Sequence, residues 1–238
     1  MRSLISNTLR SMGWDLRRSS IRTNFSKRLA RLFEDENIDF LFDVGANVGQ
    51  FSTAMFGAGY EGQVLSIEPI PGAHKLLKNK ANLNSNWIIA PRCALGEADS
   101  ELALNVTKSS SASSLLKPTR STENAISQTE VMETIETPVK TLDEFWTEHS
   151  DDVRKLAIKI DTQGYELNVL KGGVQALANA SVVVLELSIA PFYEGQPLYN
   201  EIDEYLRIHG FQIVDIETGY RDHGSGLLRE FDAVYKKK

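Results

Sequence analysis

The chain has 238 residues, of which 42% are hydrophobic and 24% are charged, a balance typical of a globular protein. Its formal net charge of −6 argues against general affinity for nucleic acid, so no nucleic-acid partner is expected. No apolar stretch reaches about 18 residues, and the N-terminus lacks the apolar core of a secretory signal. The single cysteine, Cys93, excludes an internal disulfide and favours the reducing cytoplasm as the location.

Basic charge is concentrated at the start of the chain. Residues 1–33 hold eight Lys or Arg residues and one acid, which leaves 18 basic and 31 acidic residues for the remainder. Apolar Ile5, Leu9, Met12 and Leu16 follow helical spacing, so we expect a basic helical segment within residues 1–37. Such a helix can lie on an anionic membrane, form part of a homodimer, or pack on the domain with its basic face in solvent. The sequence leaves these alternatives open.

From residue 38 onwards, strand patterns alternate with helix patterns. Short apolar runs predict strands at 40–45, 63–68, 87–92, 156–161, 181–187, 211–217 and 231–236, and helical periodicity predicts helices at 48–57, 71–82, 141–149, 164–178 and 198–209. Strands that alternate with helices predict an α/β domain with a parallel sheet. The short, glycine-rich connection between the last two strands has no helical pattern, so the final strand is predicted to run antiparallel.

The first predicted strand ends in a turn that suits close contact with a ligand. Residues 42–49 read Phe-Asp-Val-Gly-Ala-Asn-Val-Gly, which places an acid, Asp43, just before a Gly-x-x-x-Gly turn into a helix. Gly45 and Gly49 allow the backbone to approach a ligand at φ values that other residues avoid. Asn47 adds an amide between them. The motif therefore predicts a nucleoside cofactor site after the first strand.

The second strand helps to discriminate between nucleoside cofactors. Glu68 follows that strand, where an acid can accept both hydroxyls of a nucleoside ribose. Nicotinamide and flavin sites need G-x-G-x-x-G because a pyrophosphate lies on the helix N-terminus. Here Asn47 replaces the second glycine, and Asp43 would repel a phosphate. An acid beside the turn suits a cationic amino group without a phosphate, which describes S-adenosylmethionine.

Residues 97–140 interrupt the alternation of strands and helices. Segments 102–106 and 134–140 are predicted to be two edge strands. Eleven of the 23 residues from 107 to 129 are Ser or Thr. A loop of this length is in general functional or disordered, so a lid over a substrate and a flexible insertion are the two alternatives.

Two acids mark the ends of later strands. Asp161 follows an apolar strand, and Glu186 lies within the apolar run 182–187. Carboxyl ends of parallel strands form the crevice that binds ligands in open α/β sheets. A buried carboxylate needs a partner or a raised pKa, and a hydroxyl that is to react needs a proton acceptor. Both acids are therefore candidate catalytic residues, and Asp161 can also bind the amino group of the cofactor.

Several motifs, in order along the chain, resemble the FkbM methyltransferase family. They are Asp43-Val44-Gly45-Ala46-Asn47-x-Gly49, Ser113-Ser114-Leu115, Val139-Lys140-Thr141-Leu142-Asp143, Lys159-Ile160-Asp161-x-Gln163-Gly164-x-Glu166, Tyr193-Glu194-Gly195-Gln196-Pro197, Gly210-Phe211 and Phe231-Asp232-Ala233-Val234. The resemblance implies a Rossmann-like, seven-stranded, mostly parallel sheet with an antiparallel last strand and helices on both faces, in a domain at 38–238. It also implies an S-adenosylmethionine-dependent O-methyltransferase that acts on a hydroxyl of a sugar in a glycan, glycolipid or natural product.

The motifs and the resemblance together predict the roles of individual residues. The predicted cofactor-binding residues are Asp43, Gly45, Ala46, Asn47, Gly49, Glu68, Cys93, Ala94 and Asp161. Residues Gln163, Tyr193, Gln196 and His223 are predicted to contact the acceptor, which is a small molecule or a glycan. Some related enzymes bind a metal through an Asp-Asn pair, but here Glu186 is followed by Leu-Ser, so no metal is predicted.

Two other functions stay open on the sequence. One is an oxidoreductase that uses a nicotinamide cofactor or a nucleotide-linked sugar, because similar sheets serve many reactions. The other is a non-catalytic protein that docks to a membrane or to a partner through the basic N-terminal segment.

Overall fold

A computed structural model describes residues 20–238 of the chain. The predicted amphipathic helix at positions 5–16, with the membrane and dimer contacts considered for it, lies outside these residues. Within the described part of the chain, no helix is both long and apolar enough to cross a lipid bilayer.

Helices and strands follow one another in the predicted order. The strands are β1 (Phe40–Val44), β2 (Gln63–Ile67), β3 (Trp87–Ile89), β4 (Ala94–Leu95), β5 (Ser100–Thr107), β6 (Val131–Lys140), β7 (Leu156–Ile160), β8 (Ala180–Ser188), β9 (Phe211–Thr218) and β10 (Glu230–Lys237). The helices are α1 (Phe25–Asp35), α2 (Gln50–Gly57), α3 (Pro71–Ala81), α4 (Arg120–Ala125), α5 (Leu142–His149), α6 (Glu166–Lys171), α7 (Val174–Asn179) and α8 (Tyr199–Ile208). Short 3-10 turns occur at Ser110–Ala112, Ser127–Thr129 and Ser150–Asp152.

The main sheet has seven strands in the order β3-β2-β1-β7-β8-β10-β9. Strands β3, β2, β1, β7 and β8 are parallel, whereas β10 runs antiparallel to both β8 and β9. This arrangement confirms the predicted Rossmann-like sheet with its antiparallel last strand. The sheet order brings the carboxyl ends of β1, β2, β7 and β8 to one edge, where all four can contribute to one site.

Side chains alternate between two apolar layers, one on each face of the sheet. Phe42 and Ile158 belong to the layer covered by helices α5 to α8, whereas Leu41 and Ala157 belong to the layer covered by α1, α2 and α3. Central strands β1 and β7 are buried along their whole length. Helices on both faces explain these continuous apolar runs, since neither face of the strands meets solvent.

The predicted helix at 164–178 is divided into α6 and α7 at Gly172 and Gly173. A Cβ atom at Gly172 would lie 1.9 Å from the carbonyl oxygen of Gly96, so the chain passes too close for any side chain.

The predicted strand at 87–92 is shorter than expected and ends at Ile89.

Residues 94–140 form a second sheet of three strands in the order β4-β6-β5. The two edge strands predicted at 102–106 and 134–140 correspond to β5 and β6, which pair antiparallel with each other. Strand β4 was not predicted, because its two residues form a strand only through their parallel pairing with β6. The Ser/Thr-rich residues 107–129 between β5 and β6 include α4 and two 3-10 turns.

Helix α1 packs on the sheet. Leu29 and Phe33 are 2% and 1% exposed and lie in the same apolar layer as Leu41. The guanidinium of Arg28 also bonds to strand β9, with 2.7 Å from Nε to Asp215 Oδ2. The helix therefore shares a core with the sheet.

We expect Phe33→Ala to lower the free energy of unfolding by about 3–5 kcal/mol, because it leaves a cavity between α1 and the sheet. Urea denaturation followed by circular dichroism measures this change. Arg31→Ala is the matched control in the same helix, since Arg31 is exposed and its ion pairs with Glu34 and Asp35 contribute less than about 1 kcal/mol. Equal effects of the two substitutions would show that α1 is not part of the cooperative fold.

Candidate functional site

A cavity of about 300 Å³ lies at the carboxyl edge of the main sheet. The apolar part of its lining comes mainly from β2, β4, β5 and the turns after β2 and β3. It consists of Ile67, Pro69, Ile70, Cys93, Ala94, Leu95, Leu104 and Leu115. The charged groups of its lining are Glu68, Lys159, Asp161, Glu186 and Asp232. The cavity can therefore hold a ligand with one flat apolar part and one polar, charged part.

The turn after β1 also lines the cavity. Gly45 and Asn47 line the cavity, and both have positive φ angles, of 72° and 48°. A Cβ atom at Gly45 would lie 1.9 Å from the carbonyl oxygen of Asp161. Glycine is therefore required at position 45 both by backbone conformation and by the close approach of the loop after β7.

Gly49 begins α2 with a φ of 81° but does not reach the cavity. A Cβ atom there would lie 2.6 Å from the ring of Trp87, so this glycine serves the packing of α2 on β3. Ala46, by contrast, lines the cavity next to Gly45.

Asp43 lies behind the cavity wall. Its carboxylate is fully buried and accepts hydrogen bonds from Ser52 Oγ at 2.5 Å and Ser66 Oγ at 3.3 Å. The other carboxylate oxygen faces Lys159 Nζ at 3.4 Å. The sequence predicted direct contact between Asp43 and a cofactor. In this structure Asp43 does not line the cavity, but it contacts Lys159, which does.

Glu68 lines the cavity directly after β2. Its carboxylate accepts hydrogen bonds from the backbone N–H groups of Asn47 and Ile70, both at 2.7 Å. Burial raises the pKa of Glu68 to about 7, although the two backbone hydrogen bonds act in the opposite direction. A carboxylate offers about four acceptor positions, so Glu68 keeps the capacity to accept from hydroxyl groups of a ligand.

Lys159 is a central residue of the site that sequence reasoning did not select. Its Nζ lies 3.4 Å from Asp43, 3.5 Å from Asp161 and 3.3 Å from the carbonyl oxygen of Gly45. Burial lowers its pKa, but Asp161, Asp43 and Glu186 outweigh that effect, and the net shift is upward. The ammonium group therefore stays charged. A lysine inside the apolar run 156–160 was the signal that could have identified it.

Gln163 connects the two predicted catalytic acids. Its Nε2 donates hydrogen bonds to Asp161 Oδ1 at 2.9 Å and to Glu186 Oε2 at 2.6 Å. Burial raises the pKa of Glu186 well above its ordinary value, and the negative charge of Asp161 adds to this effect. The structure thus brings together two acids that are 25 positions apart in the sequence.

Asp232 is a second site residue that sequence reasoning did not select. It lies on β10 directly opposite Glu186 on β8, and both side chains line the cavity. Burial raises the pKa of Asp232 to about 6, with a further upward contribution from Asp161. Only the pairing of β10 with β8 brings this acid into the site.

Glu166 stabilises the loop after β7. Its Oε1 accepts hydrogen bonds from Thr162 N at 2.9 Å and Gly164 N at 3.1 Å. Burial raises its pKa to about 7. Glu166 therefore fixes the backbone of the loop that carries Asp161 and Gln163.

Of four further predicted residues, two line the cavity and two do not. Cys93 and Ala94 belong to the apolar part of its lining, and burial raises the pKa of the Cys93 thiol to about 12. The buried Tyr193 lies behind Gln163, with 3.0 Å between its hydroxyl and Gln163 Oε1. Gln196 accepts from the N–H of Phe192 and so shapes the loop after β8.

His223 does not line the cavity. It is exposed in the loop between β9 and β10, where its ring meets the edge of Tyr220 at 5.8 Å. Among the predicted acceptor residues, His223 therefore lies apart from the acids of the cavity, and Gln196 does not line the cavity either.

The Ser/Thr-rich segment covers the cavity. Ser110 and Ser114 line it, and each bonds to one of the loops beneath. Ser110 Oγ donates to Asn47 Oδ1 at 3.0 Å, and Ser114 Oγ donates to the carbonyl oxygen of Gln163 at 2.7 Å. The segment thus bridges the turn after β1 and the loop after β7.

Within residues 20–238, no group of three His, Cys, Asp or Glu side chains has an arrangement that could hold a metal ion. The acids of the cavity instead bond to Gln163, to backbone N–H groups and to Lys159.

Two curated proteins are similar to part of this chain. "Methyltransferase 1" of the fungus Beauveria bassiana is 28% identical over 150 residues, which are 59% of this chain and 59% of that protein. "Hexuronic acid methyltransferase AglP" of Haloferax volcanii is 25% identical over 158 residues, 66% of this chain and 59% of that protein. The matched part thus spans about three fifths of each of these curated relatives.

A solved structure of an uncharacterised protein from Listeria monocytogenes serotype 4b has the same fold, with a TM-score of 0.50. The alignment covers 93% of this chain and 69% of that chain at 10% sequence identity.

A match to the methyltransferase FkbM domain extends over residues 43–213, from the acid of β1 to the middle of β9. This range includes the turn at 45–49, both acids bridged by Gln163, and the Ser/Thr-rich segment. The chain belongs to the FkbM methyltransferase family.

Proposed function

We propose that this protein transfers a methyl group from S-adenosylmethionine to a hydroxyl group of a sugar in a glycan, a glycolipid or a natural product. The observation that carries this proposal is the charge of the cavity. Four acids line it against a single lysine, and that lysine already faces Asp43 and Asp161. Such a wall favours a cationic ligand and repels a diphosphate.

The residues present fit S-adenosylmethionine. The glycine turn leaves no room for a side chain beneath the ligand, since a Cβ atom at Gly45 would meet the backbone of Asp161. We assign the methionine part to Gly45, Ala46 and Asp161, the ribose hydroxyls to Glu68, and the adenine to the apolar part of the lining at Cys93 and Ala94. When bound, this cofactor supplies an electrophilic methyl group on a positively charged sulfur.

The chain's own residues then orient the acceptor and receive its proton. A hydroxyl group becomes a better nucleophile when a carboxylate accepts its proton during the reaction. Glu186 and Asp161 both face the cavity, and burial makes Glu186 a stronger base than an exposed glutamate. Most of the rate enhancement comes from holding the reacting groups in line and close together.

The acids also bear on the kind of oxygen that is methylated. A carboxylate acceptor needs no base, and Glu186, Asp161 and Asp232 would repel it. A neutral hydroxyl needs a base and is not repelled. The similarity to a hexuronic acid methyltransferase supports a sugar as the acceptor class, and the acids favour a hydroxyl of that sugar.

The turn after β1 offers a test of cofactor binding. We expect Gly45→Ala to weaken binding of S-adenosylhomocysteine at least about tenfold, because the new Cβ atom would force the loop of Asp161 away. Isothermal titration calorimetry measures the affinity, and NAD should show no binding to the wild-type protein. Gly57→Ala is the matched control, since no atom lies within 4 Å of a Cβ at position 57. Binding of NAD in place of S-adenosylhomocysteine would contradict the proposal.

Binding of the cationic cofactor should depend on pH. The pKa values of Glu68 and Asp232 are raised to about 7 and about 6, so these groups are largely neutral at pH 5.5 and ionised at pH 8. We therefore expect S-adenosylmethionine to bind about tenfold more tightly at pH 8 than at pH 5.5. S-Adenosylhomocysteine lacks the charge on sulfur and should show a weaker dependence. Equal pH dependence of the two ligands in calorimetry would contradict the electrostatic argument.

The acceptor class can be tested with methyl-labelled S-adenosylmethionine and a panel of neutral sugars, hexuronic acids and nucleotide-linked sugars. We expect label in a product that resists mild alkali, because an ether is stable there whereas a methyl ester is hydrolysed. Glu186→Gln should lower kcat by about 10²- to 10⁴-fold, since it removes the proton acceptor, and it should leave binding of S-adenosylhomocysteine within about threefold.

Glu204→Gln serves as the matched control for that substitution, because Glu204 is exposed on α8. Label that is released by alkali would assign the reaction to a carboxylate acceptor. Unchanged kcat in Glu186→Gln would remove this residue from the mechanism.

A further inference from the structure

Gln163 occupies a strained position two residues after Asp161, the first of the two predicted catalytic acids. Its φ angle is 55°, in the left-handed region that non-glycine residues seldom adopt, and Gly164 follows with a φ of 95°. Two neighbours hold this backbone in place. Glu166 binds the N–H groups on both sides of Gln163, and Ser114 bonds to its carbonyl oxygen. Strain that the surroundings stabilise in this way is characteristic of functional loops.

The carboxamide of Gln163 is fully engaged by the protein. Its two Nε2 hydrogens point to Asp161 and Glu186, and its Oε1 faces the hydroxyl of Tyr193 at 3.0 Å. A flipped amide would direct its oxygen at two carboxylates, so this network fixes the orientation. Gln163 thus has no free donor for an acceptor molecule, and its contacts run to the two acids.

We propose that Gln163 is a positioning residue, which holds the carboxylates of Asp161 and Glu186 side by side and favours the ionised form of Glu186 that can accept the proton of the acceptor hydroxyl. The catalytic part of this inference rests on the proposed methyl transfer, whereas the effect on Glu186 does not. A hydrogen bond to the charged form of a carboxyl group lowers its pKa. The amide therefore opposes the burial that makes Glu186 difficult to ionise.

The other groups around Glu186 act mainly in the same direction as burial. Four acids surround it, each of which disfavours its ionisation: Asp161 on the loop after β7, Glu230 and Asp232 on β10, and Glu166 on α6. Lys159 on β7 attracts its negative charge, but faces Asp43 and Asp161 at 3.4 and 3.5 Å. The buried Tyr193 completes the surroundings through its contact with Gln163. Among these described neighbours, Gln163 is the group that donates hydrogen bonds to Glu186.

Tyr193 stabilises the orientation of the amide. Its hydroxyl lies 2.8 Å from the carbonyl oxygen of Ala112 as well as 3.0 Å from Gln163 Oε1. Because one hydrogen serves two acceptors, this contact links the covering Ser/Thr-rich segment to the amide. Loss of the Tyr193 hydroxyl should therefore change the ionisation of Glu186 less than loss of the Gln163 amide does.

The test measures the ionisation of Glu186 directly. The full chain is labelled with ¹³C at the glutamate side-chain carboxyl, and the resonance of Glu186 is identified by its absence in Glu186→Gln. We expect Gln163→Asn to raise the titration midpoint of Glu186 by about one pH unit, because the shorter amide does not reach both acids. Asparagine tolerates the left-handed backbone, so the loop can keep its conformation. Tyr193→Phe should raise the midpoint by less.

Gln196→Asn is the matched control, because Gln196 bonds to the N–H of Phe192 and to Ser188 Oγ. That substitution should leave the midpoint of Glu186 unchanged even where it alters the loop after β8. An unchanged midpoint in Gln163→Asn, with the fold verified by circular dichroism, would overturn the proposal. Gln163→Leu removes the donor at nearly constant volume and must give the same upward shift.

A second measurement links this effect to catalysis. In Gln163→Asn the acid limb of the pH profile of kcat/KM should move to higher pH by the same amount as the titration midpoint of Glu186. At high pH, where Glu186 is ionised in the variant as well, kcat should partly recover. A lower kcat without any shift of the limb would assign Gln163 a purely structural role. Failure to methylate any acceptor would contradict the proposed function, yet the carboxyl titration would still decide the role of Gln163.

Discussion

The buried ammonium of Lys159 is the interaction on which the site depends. Strands β1 and β7 pair so that Asp43 and Lys159 are direct neighbours, and the lysine then reaches Asp161 beyond the end of β7. An ionised acid buried here without such a partner would destabilise the fold, since a buried charge needs a compensating charge or a set of hydrogen bonds. Lys159 therefore permits Asp43 and Asp161 to lie close together at the edge of the sheet.

Backbone geometry supplies the second constraint. The turn after β1 and the loop after β7 touch where Gly45 meets the carbonyl oxygen of Asp161. Glu68 fixes the first of these loops through the N–H of Asn47, and Glu166 fixes the second through the N–H groups of Thr162 and Gly164. Two buried carboxylates thus hold the backbone of both loops in place, which suits the proposed reaction because it depends mainly on orientation.

The two constraints together explain how a net acidic cavity is compatible with the proposed transfer of a methyl group. Lys159 offsets part of the negative charge next to β1, whereas the wall at Glu186 and Asp232 keeps its excess of acid. In the proposed reaction, a bound cationic cofactor would lower the energy of those acids in their ionised form, so cofactor binding would favour the ionised base. The amide of Gln163, which also lines the cavity, favours the ionised form of Glu186 through its hydrogen bond.

The sequence by itself determined the order and type of nearly all main-sheet elements and the edge at which the acids meet, because apolar periodicity and turn residues act over a few positions. It also selected Asp161 and Glu186 as candidate residues, since acids at the ends of apolar strands are unusual, and both line the cavity. Only the tertiary structure placed Asp43 behind the wall, brought Asp232 opposite Glu186 and showed the pairing of Lys159. These features depend on the register of strands far apart in the chain and on contacts of about 3 Å, which no local pattern encodes.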